Sequence, residues 1–299
     1  MIRACTRAGE GLSSSERLAL GRAALQGCFL LVDSLSPELV TDVHSALRSL
    51  FGLPLEVKQK YRVDKATNPL GTGFSPYGVS KALDTGLPNL LETWDIGKPG
   101  ENWPAGMDAE WVLLKGYERA LFDLALEALA FMEVFVNASS GDLTSLVSPA
   151  NGGIHMIHYF PLQSEHQDGR RRQSDHCDNT LITLIPPAFP TTSEISIYDR
   201  AVDAWEHVSI ARNECLVQAG LLLERVTGDR VLANLHTVRN PDIGSARNID
   251  RISTPFFLSP APEAMLRVLP SCSSSATQAK YPDVAVHELQ RSYFARVFS

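Results

Sequence analysis

The sequence predicts a mainly β fold, an antiparallel jelly roll or sandwich with helical supports. In the first half of the chain, two segments repeat apolar residues at the three- and four-residue intervals of helices. From residue 154 onward, short runs rich in Ile, Thr, Val and Leu alternate with turn residues. The chain has 299 residues, 44% hydrophobic and 20% charged, so it can bury a substantial core as one large domain or two small ones.

The charge and cysteine patterns limit the partners and the cellular location. The net charge is −7 and Lys and Arg are otherwise scattered, so we predict no nucleic-acid partner. We interpret the Arg170 to Arg172 run as a solvated loop. The five cysteines form no CxxC pair, which argues against a disulfide framework or a thiolate zinc site and favours the cytoplasm. The most apolar long segment, Ala120 to Val136, is interrupted by acidic residues, so we predict no membrane span.

The N-terminal part predicts two helices around a buried strand. Ser15 to Leu25 has a helical pattern, and the apolar run Cys28 to Val32 is typical of a strand. Ser36 suits the N-cap of the next helix and Pro37 suits its first turn. The apolar stripe of that helix consists of Leu39, Val40, Val43, Leu47, Leu50 and Phe51.

The middle of the chain predicts a glycine-rich segment followed by a long helix. Glycines and prolines recur from Asn68 to Pro104, which indicates loops and short strands near a ligand entrance. Three aromatic residues there are candidates for lining the substrate mouth, namely Phe74, Tyr77 and Trp94. Asp108 to Ala138 repeats apolar residues at helical spacing and predicts a supporting spine.

The second half predicts short strands separated by turns, which is the pattern of a sandwich or jelly roll. The predicted strands are Ile154 to Phe160, Leu181 to Ile185, Ile195 to Tyr198, Glu206 to Ile210, Cys215 to Ala219, Val231 to Leu235 and Ile252 to Leu258.

The segment Asp175-His-Cys-Asp-Asn indicates a metal site. His176 and Asp178 stand two apart at the predicted start of a strand, so both side chains point to one face. With an imidazole from a distant strand, for which His236 is the candidate, they would form a facial triad with open coordination positions. Such a tripeptide also arises by chance, and a lone histidine is more often a core or surface residue.

A second pattern lies fifteen residues beyond His236. Arg251 and Ser253, again two apart, share one face of a predicted strand. A guanidinium and a hydroxyl suit the distal carboxylate of a small dicarboxylic acid such as 2-oxoglutarate. The alternative is a surface arginine paired with a neighbouring acid such as Asp250.

Other histidines near the first pattern are weaker candidates for metal ligands. His155 and His158 stand three apart, so on a strand they face opposite sides and cannot easily chelate one ion. Cys177 lies between the two candidate ligands and is expected to point away from the metal into packing.

These residues resemble the iron- and 2-oxoglutarate-dependent dioxygenases of the isopenicillin N synthase-like group, over nearly the whole chain. The resemblance rests on the patterns above and on Gly27-Cys-Phe-Leu-Leu-Val32, Gly71-Thr-Gly-Phe-Ser-Pro-Tyr-Gly78, Glu92-Thr-Trp-Asp-Ile-Gly97, His158-Tyr-Phe-Pro161 and Lys280-Tyr-Pro282, the last leading into a helix from Val284 to Phe298. The chain departs from the family at Thr237, often arginine in plant members, and at Phe160, often a second tyrosine.

The resemblance implies a double-stranded β-helix (jelly roll) core in which residues 1–105 and 106–299 pack as one compact unit. It also implies the site residues, which are His176, Asp178 and His236 for iron, and Arg251, Ser253 and Tyr159 for 2-oxoglutarate.

The implied activity is hydroxylation, desaturation or oxidative cyclisation with Fe(II), 2-oxoglutarate and O₂, releasing succinate and CO₂. The implied substrate is a small natural-product or amino-acid-derived molecule of secondary metabolism. Two alternatives remain open. One is an isopenicillin N synthase-type oxidase that does not use 2-oxoglutarate, and the other is a non-catalytic jelly-roll module that binds a small molecule or partner.

Overall fold

The computed structural model describes residues 3–5, 21–65, 67–68, 70–82, 85–97, 101–161, 172–190, 195–240 and 249–297. Residues 21–25 are helical, and the remainder of the helix predicted from Ser15 lies outside the described residues. In these ranges no helix combines the length and apolar character needed to cross a membrane.

The longer helices lie early in the chain and at its C-terminal end. The helices are α1 (Pro37–Phe51), α2 (Leu55–Lys58), α3 (Asp108–Phe135), α4 (Leu221–Val226), α5 (Ser275–Lys280) and α6 (Val286–Val297). The strands are β1 (Arg3–Cys5), β2 (Cys28–Val32), β3 (Gly73–Ser75), β4 (Leu91–Asp95), β5 (Gly152–Tyr159), β6 (Gln173–His176), β7 (Ile182–Ile185), β8 (Ile195–Asp199), β9 (Ala204–His207), β10 (Cys215–Ala219), β11 (His236–Val238), β12 (Arg251–Ser253), β13 (Phe256–Leu258), β14 (Met265–Leu266) and β15 (Val284–Ala285).

Two sheets form the body of the protein. The large sheet has the order β1-β2-β10-β7-β13-β5-β4-β3, with β12 also paired to β5, and the small sheet has the order β6-β11-β8-β9. Leu30, Ile185 and Leu216 of the large sheet pack against Ile195 and Ile197 of the small sheet. Antiparallel sheets that pack face to face in this way form a jelly roll, so the predicted fold class is confirmed.

Helices α1 and α3 cover the outer face of the large sheet. Ser36 caps α1 as predicted, because its hydroxyl accepts a hydrogen bond from the backbone N–H of Leu39 and Pro37 begins the first turn. Leu47 of α1, Leu121 of α3 and Phe256 of β13 belong to one buried cluster. The cluster holds the helices on the outer face, which leaves the inner face of the sheet for a cavity.

Strand β5 shows how the sheet separates core from cavity. Met156 and His158 face outward, Met156 in the buried cluster with α3 and His158 against Phe51 of α1. His155, Ile157 and Tyr159 alternate with them and line the cavity on the inner face. The period-two pattern of this strand therefore places three consecutive odd-numbered side chains in one row.

Some predicted strand boundaries were wrong. Val231 to Leu235 is not a strand, because its backbone is bonded elsewhere. The N–H groups of Val231 and Ala233 donate to the side chains of Thr227 and Glu224 near the end of α4. Strand β11 begins only at His236.

Two other predicted strands differ from the structure. The strand predicted at Glu206 to Ile210 is observed as β9 (Ala204–His207), because its hairpin with β8 already pairs Ala204 with Asp199. The strand predicted at Ile252 to Leu258 is interrupted between β12 and β13 at Pro255, which has no N–H for a sheet ladder.

The arginine run is not a simple solvated loop. Arg172 is 1% exposed, its backbone N–H donates to the side chain of Asn240, and its guanidinium donates to the carbonyl of Ile249. The prediction was therefore wrong for Arg172, which is buried and whose guanidinium donates to a backbone carbonyl. Arg170 and Arg171 lie outside the described residues.

Candidate active site

Three predicted ligands come together between the small sheet and β7. His176 is the last residue of β6, and His236, the first residue of β11, is its partner across the ladder. Asp178 follows in the turn before β7, so the prediction that His176 and Asp178 begin one strand was wrong. The turn, and not strand periodicity, brings the carboxylate toward the two imidazoles.

The side chains of this triad converge on one point. The Nε2 atoms of His176 and His236 lie 3.4 and 3.8 Å from Oδ1 of Asp178. The two ring centroids are 4.2 Å apart, and one ligand atom from each residue fits within 4.8 Å of the others. Asp178 and His236 are buried, and His176 is partly buried.

Both imidazoles are oriented by the backbone two residues earlier. Nδ1 of His176 lies 2.8 Å from the carbonyl oxygen of Ser174, and Nδ1 of His236 lies 3.2 Å from that of Asn234. Because a carbonyl can only accept, Nδ1 carries the proton in each neutral ring. Each Nε2 then presents its lone pair to the centre of the triad.

The electrostatics of the triad favour a cation. Burial and then the neighbouring His176 lower the pKa of His236 to about 4. Burial alone would raise the pKa of Asp178, but His236 and His176 outweigh it and hold that pKa well below its usual value. Burial opposes a charge on His176, but the hydrogen bond and charge of Asp178 raise its pKa. At neutral pH the triad therefore offers an ionised carboxylate and a neutral His236.

The donor set fits a divalent iron ion. Within the described part of the chain, Oδ2 of Asp178 is buried with no hydrogen-bond partner, which a bound cation would explain. Two imidazoles and one carboxylate with open positions are the ligand set of non-haem Fe(II) oxygenases. The triad residues would therefore hold iron through nitrogen and carboxylate oxygen.

The second predicted pair lies on β12 beside β5. Arg251 pairs in register with Tyr159, and Ser253 pairs with Ile157. The guanidinium carbon of Arg251 lies 5.0 Å from the ring centroid of Tyr159, a cation–π contact. Arg251, Ser253 and Tyr159 are each at most 3% exposed. Their polar atoms line a cavity and not the protein surface, which argues against the surface ion pair considered as the alternative.

The triad and the Arg251 pair line one cavity of about 730 Å³. Apolar side chains of both sheets, including Ile157, Ile195 and Val238, also line it. The predicted mouth residues do not line it. Phe74 and Trp94 are fully buried in the core with ring centroids 5.6 Å apart, and Tyr77 is 42% exposed.

The sequence did not single out a further polar group in this cavity. Nδ1 of His155 lies 2.6 Å from Oδ1 of Asp95, and Nζ of Lys65 lies 2.7 Å from Oδ2. All three residues line the cavity. The sequence had considered His155 only as a rival metal ligand. The period-two pattern of β4 and β5 could have placed Asp95 and His155 on the inner face, but not opposite each other.

His158 faces the other side of β5, as predicted from its spacing to His155. Its Nδ1 lies 2.9 Å from Glu92, which also accepts hydrogen bonds from the buried Lys58. Its ring lies 5.3 Å from that of Phe51 in α1. This side chain supports the strand from behind and does not reach the cavity lining.

Comparisons with known proteins agree with the predicted fold and cofactors. No family model matches the sequence. The 2-oxoglutarate-Fe(II) type oxidoreductase hxnY of Emericella nidulans is 28% identical over 283 residues, covering 87% of this chain and 78% of that protein. The 2-oxoglutarate-dependent dioxygenase ecdK of Aspergillus rugulosus is 27% identical over 289 residues, covering 83% of this chain and 84% of that protein.

A solved structure has the same architecture. A full-length Neurospora crassa protein, crystallised in complex with alpha-KG, superposes with a TM-score of 0.81 at 20% identity, covering 98% of this chain and 95% of that one. A jelly roll with a buried His-Asp-His triad defines the class of non-haem iron oxygenases. The chain is therefore similar to 2-oxoglutarate- and Fe(II)-dependent oxygenases, and the predicted resemblance to this group of the isopenicillin N synthase-like type is confirmed.

Proposed function

We propose that the protein oxidises a small organic molecule by hydroxylation, desaturation or oxidative cyclisation, with Fe(II) held by His176, Asp178 and His236. The observation that carries the proposal is that the triad and the Arg251–Ser253 pair line one cavity. Bound iron supplies O₂ activation coupled to the decarboxylation of 2-oxoglutarate to succinate and CO₂. The chain's own residues bind and orient the reactants and exclude water.

Arg251 and Ser253 anchor the distal carboxylate of 2-oxoglutarate. A guanidinium donates two parallel hydrogen bonds to a carboxylate, and the hydroxyl of Ser253 on the same strand face donates a third. Tyr159 stacks under the guanidinium and limits its movement. Because this site is buried, the hydrogen bonds are made away from competing water.

His176 and His236 keep their protons on Nδ1, toward Ser174 and Asn234, throughout the cycle. This fixes both rings and leaves each Nε2 available to iron. The apolar side chains Ile157, Ile195 and Val238 keep the space between the triad and Arg251 poor in water.

The substrate class and the cellular location are also proposals. A natural-product or amino-acid-derived substrate of secondary metabolism is supported by the size of the cavity, about 730 Å³. A cytoplasmic location is supported by the free thiols of Cys28, Cys177, Cys215 and Cys272. Burial raises the pKa of Cys177 to about 11, so this thiol beside the triad stays protonated.

Anaerobic reconstitution with Fe(II) and 2-oxoglutarate tests the proposal. We expect a weak visible charge-transfer band from the chelated keto acid, lost in Arg251→Ala while iron remains bound. Succinate should then form when substrate and O₂ are supplied. Bound iron without the band would instead favour the oxidase that does not use 2-oxoglutarate, and failure to bind iron would favour the non-catalytic module.

A further inference from the structure

The cavity contains a polar group that the proposed iron and 2-oxoglutarate sites do not use. Asp95 on β4 pairs directly with His155 on β5, and its two carboxylate oxygens bond to His155 and Lys65. Lys65 is 4% exposed and also donates to the carbonyl of Gly71 at 2.6 Å. The lysine is therefore fixed, and it holds the carboxylate in place for the imidazole.

The protonation of this group follows from its contacts. Burial would raise the pKa of Asp95, but His155 and Lys65 outweigh it and keep the carboxylate ionised. An ionised carboxylate can only accept hydrogen bonds, so Nδ1 of His155 carries the proton. In the neutral form of the imidazole with this proton on Nδ1, Nε2 is an acceptor. No hydrogen bond to Nε2 occurs within the described ranges, and the side chain of His155 is 26% exposed.

The charged side chains around the cavity limit which ligands can bind near Nε2 of His155. Apart from the proposed iron and 2-oxoglutarate residues, the lysines in the described lining are Lys65, bonded to Asp95, and Lys115, paired with Glu118. Glu101 adds a further carboxylate. This part of the lining therefore has no excess of cations to bind an anionic substrate.

An aromatic ring lies beside the imidazole. The ring of Phe257 on β13 has its centroid 5.7 Å from that of His155, and Phe257 lines the same cavity. Leu70 and Ile96 add apolar surface to the lining. A flat apolar ring of a ligand can stack against Phe257 and at the same time contact these apolar side chains.

We propose that Nε2 of His155, positioned by Asp95 and Lys65, accepts a hydrogen bond from an O–H or N–H group of an uncharged, ring-bearing substrate that packs against Phe257. This inference rests on the proposed function, because it takes the cavity beyond the iron site as the place of the substrate. His155 is a specificity residue, and Asp95 and Lys65 are positioning residues.

Three probes of one shape test the inference. They are 2-naphthol, with a hydroxyl donor, 2-methoxynaphthalene, without one, and 2-naphthoate, an anion. Each is equilibrated by anaerobic dialysis with enzyme loaded with Fe(II) and 2-oxoglutarate, and the charge-transfer band verifies loading. We expect 2-naphthol to bind roughly tenfold more tightly than either of the others, because only it can donate a hydrogen bond to Nε2 of His155.

Matched variants test whether the preference for 2-naphthol depends on His155. In His155→Phe, which keeps an aromatic ring but removes the acceptor, the preference for 2-naphthol should fall to within about twofold while the band is retained. His207→Phe, on β9 and outside the cavity lining, should keep the full preference. A preference that persists in His155→Phe would overturn the assignment.

The native enzyme alone also gives decisive outcomes. Equal binding of 2-naphthol and 2-methoxynaphthalene would show that the acceptor is not used. Tightest binding of 2-naphthoate would show a cationic His155 and an anionic substrate. Failure of all three probes to bind would exclude the ring-bearing class. Absence of the charge-transfer band at loading would count against the proposed function and not against this inference.

Discussion

The cavity has two polar ends that are built in different ways. At one end, which we call the Arg251 end, Arg251 and Ser253 come from three consecutive residues of one strand. At the other, the His155 end, Lys65, Asp95 and His155 come from segments 30 and 60 residues apart in sequence. Along β5 the two ends are separated by the four residue steps from Tyr159 to His155, or about 13 Å.

The difference shows which polar groups a fold can hold in place with little support from distant segments. A strand holds two alternate side chains on one face through its own backbone, so the Arg251 end needs little support beyond pairing with β5. The His155 end needs a carboxylate with two partners to hold its imidazole. We therefore expect the Arg251 end to tolerate changes elsewhere, and the His155 end to depend on each of its members.

The largest expected effect is the loss of iron from the triad, which lines the same cavity as both ends. Asp178→Ala removes the only anionic ligand of the triad, so we expect Fe(II) affinity to fall by at least about 100-fold and turnover to be lost. Metal analysis after desalting measures this. Cys177→Ser is the matched control, because that side chain contacts the carbonyl of Ala233 outside the triad. Full iron content in Asp178→Ala would refute the ligand assignment.

A smaller effect should distinguish the role of the Arg251 end from that of the His155 end. Arg251→Lys keeps the charge but loses the paired donors, so 2-oxoglutarate affinity should fall by about 1 to 3 kcal/mol. Titration of the charge-transfer band measures it. Arg239→Lys, a cation over Trp205 away from the Arg251 pair, is the control. The 2-naphthol preference should survive in both variants, and unchanged 2-oxoglutarate affinity in Arg251→Lys would contradict the anchor.

The smallest expected effect is a pH-dependent loss of stability at His44, a buried residue whose pKa Arg251 helps to lower. Burial and nearby arginines, including Arg251, lower the pKa of His44 from 6.5 to about 4, and its Nε2 donates to the carbonyl of Pro187. The unfolded chain therefore binds more protons between these values, and stability falls as the pH drops through that window. We expect this residue to contribute a loss of about 1 kcal/mol between about pH 7.5 and about pH 5.5.

Urea unfolding of the native protein and His44→Gln at both pH values measures this contribution. Glutamine keeps a donor for Pro187 but does not titrate, so the variant should lose less stability on acidification. Identical pH dependence of the two proteins would show that His44 is not held neutral in the fold.

The sequence was most reliable where one local rule decides the structure. Ser36 and Pro37 predicted the start of α1, and the apolar spacing from Asp108 predicted α3, which ends at Phe135. The predictions failed where a distant segment supplied the partner. The N–H groups of Val231 and Ala233 bond to side chains near the end of α4, so an apolar run that looks like a strand does not form one.

By itself, the sequence determined the fold class, the family resemblance and the placement of Arg251 and Ser253 on one strand face, because strand period and residue type act within a few residues. The iron-ligand roles and the division near residue 105 stay predictions. Only the tertiary structure decided that His176 ends a strand while Asp178 lies in a turn, and that Lys65 and Asp95 orient His155. The reason is physical: hydrogen bonds between distant segments depend on how strands pair, and strand pairing is set by the whole fold.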